Sequence, residues 1–300
     1  MRGDKIPVDP YLPYSWFNEK ERALGGELKE VAAILLSNRE CPYACLMCDL
    51  WKHTSDERIP TGAIPAQIKF ALKELSPAKH LKLFNSGSFF DPGAIPVEDY
   101  PKIASLSSHF ANILVESHTT FIGDKCLEFS RMLQGQLQVA IGLETVHPEV
   151  LPRLNKGMTL EDFKRSVDFL QSHGITSRAF ILLRPPFLSE PEGIEWACRS
   201  IDFAFACGVD ICSVIPVRSG NGALDKLALD RYFGEPSIRS LEQVVEYGIG
   251  LKKGLVFADL WDLERFSTCQ HCFISRKERL NQMNLTQELM NPMECSCDYL

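Results

Sequence analysis

The sequence predicts an α/β protein built on a partial TIM-like barrel of about six βα units, followed by a short cysteine-containing C-terminal extension. Two observations carry this expectation. Between positions 30 and 260, short apolar runs alternate with helix-like stretches of ten or more residues, a pattern that indicates βαβ units and a parallel sheet. A chain of 300 residues also suits a barrel that runs as a single domain. Residues 1–29, rich in Pro, Tyr and charge, read as an N-terminal extension; 30–260 form the barrel and 261–300 the C-terminal extension.

Each element has its own justification. Val31–Leu36 is an apolar run that opens the barrel as a strand. Helix-like sequence follows at Ala63–Leu75, then a strand at His80–Phe84, a helix at Val97–Ser107 and a strand at Asn112–Glu116. A helix at Asp124–Leu133 precedes a strand at Leu137–Leu143. The clearest helix is Thr159–His173, where Leu160, Phe163, Val167 and Leu170 recur at intervals of three and four and so share one face. Thr159 can cap it with Asp162 three residues on, and Gly174 stands where a terminating glycine belongs. Strand Ser177–Leu183, helix Pro191–Ala206, strand Ile211–Pro216, helix Leu241–Lys252 and strand Leu255–Ala258 complete the series. The sequence contains no internal repeat, low-complexity tract or long linker.

Composition narrows the function. Hydrophobic residues make up 45% and charged residues 24%, enough for a substantial core. Thirty-two basic residues against thirty-nine acidic ones give a net charge of −7. That balance predicts no strong direct grip on nucleic acid, which needs clustered Lys and Arg, although a basic partner can deliver such a substrate. No apolar stretch approaches the ~20 residues of a membrane span, and the N-terminus has no apolar signal core. A cytoplasmic location is expected, in which the eleven cysteines are reduced thiols and metal ligands.

Directly after the first strand stands Cys41-Pro-Tyr-Ala-Cys45-Leu-Met-Cys48. Three thiolates at C-x₃-C-x₂-C spacing can hold three irons of a [4Fe-4S] cluster and leave the fourth open, since a cluster normally takes four cysteines. Structural zinc is the competing reading, but it prefers pairs of cysteines repeated as pairs. The spacing resembles the signature of the radical S-adenosylmethionine (SAM) superfamily, and Met47 stands where the family usually has an aromatic residue. The resemblance implies a radical SAM barrel, with SAM chelated at the open iron and cleaved by one electron to a 5′-deoxyadenosyl radical. It also implies an electron donor such as flavodoxin or ferredoxin.

Enzymes on parallel barrels place their chemistry at the C-terminal ends of strands. Asn85, Ser86, Gly87, Ser88 and Phe89 follow the second strand and look like the turn that binds the amino group of SAM in the superfamily, although a plain βα turn also favours Ser and Gly. Glu116 and Glu144 end the next two strands; each is a candidate acceptor for ribose hydroxyls or the SAM ammonium, with a buried Glu–Arg pair as the alternative. His118 is read as structural or catalytic. Arg153 is a candidate partner for the SAM carboxylate or part of a solvated helix face. Arg184 and Arg218, at later strand ends, are candidate substrate-binding residues for a carboxylate or phosphate.

Several stretches together resemble one branch of the superfamily: Asn85-Ser-Gly-Ser-Phe-Phe-Asp91, Val115-Glu-Ser-His118, Ile141-Gly-Leu-Glu-Thr145, Asn155-Lys-Gly157 and Leu182-Leu-Arg-Pro-Pro-Phe-Leu-Ser-Glu190. They are similar to the radical-SAM subunit of archaeosine synthase and to Elongator-catalytic-subunit-like radical SAM proteins. The resemblance implies lyase-type modification of a tRNA deazaguanine base, alongside a separate tRNA-binding partner subunit. A small metabolite or a peptide is the alternative substrate class.

Cys269, Cys272, Cys295 and Cys297 make a second candidate metal set, for zinc or an auxiliary iron–sulfur cluster. Were both cysteine groups structural zinc sites, the chain would be a metal-binding interaction protein rather than an enzyme. Cys126, Cys198, Cys207 and Cys212 fall in apolar runs and are expected in the core.

Overall fold

The computed structural model describes residues 5–299. Met1–Asp4 and Leu300, at the ends of the two expected extensions, lie outside the described residues. In chain order the elements are β1 (Ser15–Arg22), β2 (Leu28–Leu36), β3 (Asn38–Arg39), β4 (Thr54–Ser55), α1 (Ala63–Glu74), β5 (His80–Asn85), α2 (Tyr100–Leu106), β6 (Asn112–Glu116) and α3 (Asp124–Met132). They continue with β7 (Gln136–Glu144), α4 (Val150–Arg153), α5 (Leu160–Ser172), β8 (Thr176–Leu183), α6 (Glu190–Ala206), β9 (Ile211–Pro216), α7 (Ala223–Leu229), α8 (Ile238–Gly250), β10 (Leu255–Ala258) and α9 (Gln270–Thr286).

One sheet of eight strands runs β1-β2-β5-β6-β7-β8-β9-β10. Every neighbouring pair is parallel except β1 on β2, which is antiparallel. Strands β2 and β5 to β10 match the sequence expectation, and α5 forms its capping box, with the Asp162 carboxylate accepting the Thr159 N–H at 2.8 Å. The small pair β3–β4 pinches the base of the cysteine loop between them.

Strand alternation sorts the side chains into two layers. Ile34, Leu83, Val115, Val139, Ile181 and Val214 are buried against the helices. The opposite face looks into the curl of the sheet, where the rings of Phe84 and Phe180 lie 6.4 Å apart and are only half-buried. Cys126, Cys207 and Cys212 are buried as expected, and Cys198 is half-buried.

Residues 15–22, within the stretch read from sequence as an N-terminal extension, form β1. The strand escapes the sequence pattern because its lumen face is charged. Glu19 and Glu21 reach across the floor of the curl, where Glu21 takes Arg178 of β8 through two hydrogen bonds of 2.6 and 3.1 Å. Lys82 of β5 pairs with Glu19 at 2.7 Å and also with Glu21. Burial alone would raise the Glu21 carboxyl, but Arg178 and Lys82 overcome it and hold it down at about 2. The sheet is therefore drawn together at its floor by a buried ionic network.

The two sheet edges are covered by one helix, since α9 packs on both β1 and β10. Its side-chain amides replace a missing neighbour strand. Gln287 accepts the Val256 N–H at 2.8 Å and donates to the Val256 carbonyl at 2.9 Å, and Asn284 does the same for Ala258 at 2.8 and 2.9 Å. An exposed edge strand is thereby blunted. Among the described residues, no helix is long and apolar enough to cross a membrane.

Candidate functional site

The site is built on the cysteine loop at the C-terminal mouth of the curl. Polar side chains from later strand ends hold the loop's backbone from several sides. Asn221, after β9 and 3% exposed, donates to the carbonyls of Leu46 at 2.9 Å and Cys48 at 3.2 Å. Asn155, after α4, donates to the Ala44 carbonyl at 2.9 Å, and the Leu46 N–H donates to the Leu154 carbonyl at 2.9 Å. Trp51 closes the exit of the loop through its indole N–H to the Cys48 carbonyl at 3.2 Å.

His118, ambiguous in sequence, belongs to this scaffold. Its ring stacks on Tyr43 with centroids 3.9 Å apart. Nδ1 accepts the Thr120 N–H at 3.2 Å, which leaves Nε2 to donate to the Lys156 carbonyl at 3.0 Å. Burial holds the imidazole down at about 4, so it stays neutral and holds Tyr43 in place. Tyr43 and Asn221 escaped sequence reading because neither has a motif of its own.

The turn after β5 meets the cysteines directly. A Cβ placed on Gly87 would lie 3.2 Å from Cys41 Cβ, so the bare backbone is what lets the turn close on the loop. Asn85 is 1% exposed and Ser86 4%, and neither amide atom of Asn85 makes a hydrogen bond. Ser88 instead accepts the His118 N–H at 2.9 Å. Phe89 turns the other way, into an aromatic cluster with Phe90, Tyr100 and Phe129, and only its N–H, bonded to the Glu116 carbonyl at 2.8 Å, serves the mouth.

Glu116 lies beside this turn. Burial pushes its carboxyl up to about 8, although the N–H groups of Asn85 and Gly87 and the Lys156 charge favour its ionised form. Glu144 is also buried, but its partner is Lys156 at 2.5 Å rather than an arginine. Its backbone has φ 67°, an uncommon conformation for a residue with a side chain and one that clusters at functional sites. Gly142 leaves the space that this ion pair fills. Lys156 was missed in sequence because a lone lysine after a helix reads as solvated; its Asn-Lys-Gly setting was the available signal.

The three cysteines are half-buried. Burial raises all of their thiols, Cys48 to about 11, while Lys156 pulls Cys41 and Cys45 back down. A positive metal centre would reverse that balance and deprotonate them. Three thiolates, a neighbouring cation, and an adjoining turn with unpartnered buried polar atoms fit a [4Fe-4S] cluster with SAM beside it.

The arginines stand apart from this group. Arg153 is exposed, its guanidinium 3.3 Å from the centre of the Phe187 ring. Arg184 packs against Gly193 of α6 and Gly234; it donates to the Glu235 carbonyl at 2.7 Å and pairs with Glu190 at 3.4 Å. Arg218 stays near the mouth but is bound to Asp259 at 2.7 Å and to the Trp261 carbonyl at 2.6 Å. Both strand-end arginines, candidates for binding an anionic substrate group, thus already have a carboxylate partner within the chain. The four C-terminal cysteines do come together, with ligand atoms all within 4.8 Å of one another.

No protein-family model matches the chain. An uncharacterized protein of Methanocaldococcus jannaschii is 28% identical over 287 residues, which span 88% of this chain and 79% of that protein. The archaeosine synthase subunit beta of Thermococcus kodakarensis is 30% identical over 167 residues, 53% of this chain and 52% of the subunit. The match thus spans about half of that relative's length. Among solved structures, SuiB of Streptococcus suis bound to S-adenosylmethionine superposes with a TM-score of 0.54 at 14% identity, over 76% of this chain and 46% of SuiB. At this identity the likeness shows a shared fold.

Proposed function

We propose that the chain is a radical SAM enzyme in which Cys41, Cys45 and Cys48 hold the cluster and the turn from Asn85 to Phe89 seats SAM beside it. The observation that carries this reading is the buried, unpartnered amide of Asn85 in a turn that touches Cys41. A buried polar group left unmade costs about 1–3 kcal/mol, and a polar ligand at the mouth recovers it.

When bound, the cluster and SAM supply a 5′-deoxyadenosyl radical for hydrogen abstraction; the protein supplies orientation and protection. Asn85 offers one donor and one acceptor edge to the amino-acid part of SAM, and Ser86 a hydroxyl. Glu116, once ionised, offers a carboxylate to the ammonium or to a ribose hydroxyl. Glu144 holds Lys156 beside the thiolates, where its positive charge offsets theirs. Phe84 and Phe180 supply an apolar wall that keeps water from the lumen. Arg218 is the residue we assign to an anionic substrate group, which would compete with Asp259 for its guanidinium. Arg153 and Arg184 fit positioning roles in the loops around Phe187 and Glu235.

The substrate reading is lyase-type modification of a tRNA deazaguanine base, with a partner subunit gripping the RNA. Its support is the resemblance to archaeosine synthase subunit beta and a net charge of −7, which suits a protein that borrows its hold on RNA. The test is anaerobic turnover of reconstituted protein with SAM and reductant. 5′-Deoxyadenosine should form, should vanish in the Cys41→Ala/Cys45→Ala/Cys48→Ala variant, and should take up deuterium from a labelled tRNA adduct in the presence of a tRNA-binding subunit. Deuterium transfer from a peptide or metabolite instead would replace the RNA reading.

A further inference from the structure

We propose that Cys269, Cys272, Cys295 and Cys297 form a closed mononuclear zinc site whose task is to clasp the C-terminal tail onto α9, the helix that spans both edges of the sheet. The sulfur spacing favours one metal ion over a cluster. The Cys269 and Cys295 sulfurs are 3.9 Å apart, and those of Cys272 and Cys297 3.6 Å apart. Four thiolates around one tetrahedral zinc, at ~2.3 Å each, stand about 3.8 Å from one another. A cubane interposes irons and sulfides between its cysteines and spreads them wider than that. Among the described residues, the sulfurs of Cys41, Cys45 and Cys48 do not gather this tightly.

The charges around the site point the same way. Arg276 is 3% exposed and its Nε donates to Cys272 Sγ at 3.3 Å, a bond that favours a metal-held thiolate over a thiol. Arg276 and Arg279 share the buried Glu242, at 2.5 and 3.2 Å, and Arg279 also pairs with Glu246. The same two arginines bind the returning tail. Arg279 donates to the carbonyls of Asn291 at 2.7 Å and Met290 at 2.6 Å, and Arg276 to that of Met293 at 3.3 Å. The tail is thus aimed back at the start of α9, where two of the four cysteines wait. Zinc has no redox chemistry of its own, so the site stays inert under the reducing conditions that radical chemistry needs. The mechanical consequence falls on α9, whose Asn284 and Gln287 finish the β10 edge.

Metal analysis of the full chain, purified without oxygen, tests the proposal independently of any turnover. The expected content is about one zinc per chain besides the iron. The Cys295→Ser/Cys297→Ser variant should lose the zinc and keep the iron, while the Cys41→Ala/Cys45→Ala/Cys48→Ala variant should do the reverse. Iron leaving with the C-terminal cysteines, or no second metal, overturns the site. Cobalt(II) loaded into the unsubstituted chain checks it without a mutation: four thiolates give intense tetrahedral bands in the red, and a weak octahedral spectrum overturns it. Chelating the zinc should speed hydrogen exchange at Val256 and Ala258 by about tenfold or more, the signature of local opening; unchanged exchange overturns the clasp.

Discussion

Replacing Glu21 by Gln is the sharpest test of how the barrel is held in shape. Glu21 links β1 to Lys82 of β5 and, across the curl, to Arg178 of β8, and its carboxyl sits at about 2 against an ordinary 4.5. A displacement of that size corresponds to about 3 kcal/mol of folding stability at neutral pH. The folded-state value lies below the unfolded one. The contribution is therefore complete above about pH 4.5 and disappears as pH falls through 2; at pH 3 about 1 kcal/mol remains. Urea unfolding of parent and variant should differ by about 3 kcal/mol at pH 7 and by markedly less at pH 3. Arg178, left buried without its carboxylate, makes any error one of underestimation. A difference below about 1 kcal/mol at pH 7, or one that does not shrink in acid, would refute the claim that this network draws β1 into the barrel.

The mouth and the edge give further expectations. Asn85→Ala should weaken SAM binding roughly tenfold to a hundredfold, the worth of a hydrogen bond to a charged ligand, with iron content unchanged; equilibrium binding to the reconstituted protein checks it. Because Glu116 holds its proton up to about 8, binding a cationic ligand there releases that proton. Affinity for SAM should then rise by up to about tenfold per pH unit from 6 toward 8 and level off above, and Glu116→Gln should flatten the profile. The Asn284→Ala/Gln287→Ala pair removes four hydrogen bonds to β10 and should cost about 2–4 kcal/mol in urea unfolding.

What sequence could reveal followed from periodicity and from chemistry that is local in the chain. Strands β2 and β5 to β10 announced themselves because one face of each is apolar and buried under helices, and α5 because Thr159, Asp162 and Gly174 mark its ends. The cysteine triplet was legible as a spacing. β1 was hidden because its inward face is Glu19 and Glu21, whose partners lie 61 and 63 positions away at Lys82 and 157 away at Arg178. The partners of the strand-end arginines were out of reach in the same way: Glu190 pairs with Arg184 and Asp259 with Arg218, and only the fold decides which carboxylate an arginine meets.

The supports of the cysteine loop show why its neighbours matter as much as the cysteines. Its backbone carbonyls at 44, 46 and 48 are bonded to Asn155, which follows β7 and α4, and to Asn221, which follows β9; Tyr43 leans on His118, which follows β6. Each contact is a single hydrogen bond or ring stack, worth about 1 kcal/mol, too little to form the loop alone. Together they place the loop relative to three different βα units at once. A shift of any one strand end would move the thiolates against the Asn85 turn. The floor network and the α9 packing therefore bear on a site they never touch: they help set the spacing of the strand ends, and the strand ends set how the cysteine loop faces the Asn85 turn and Glu116.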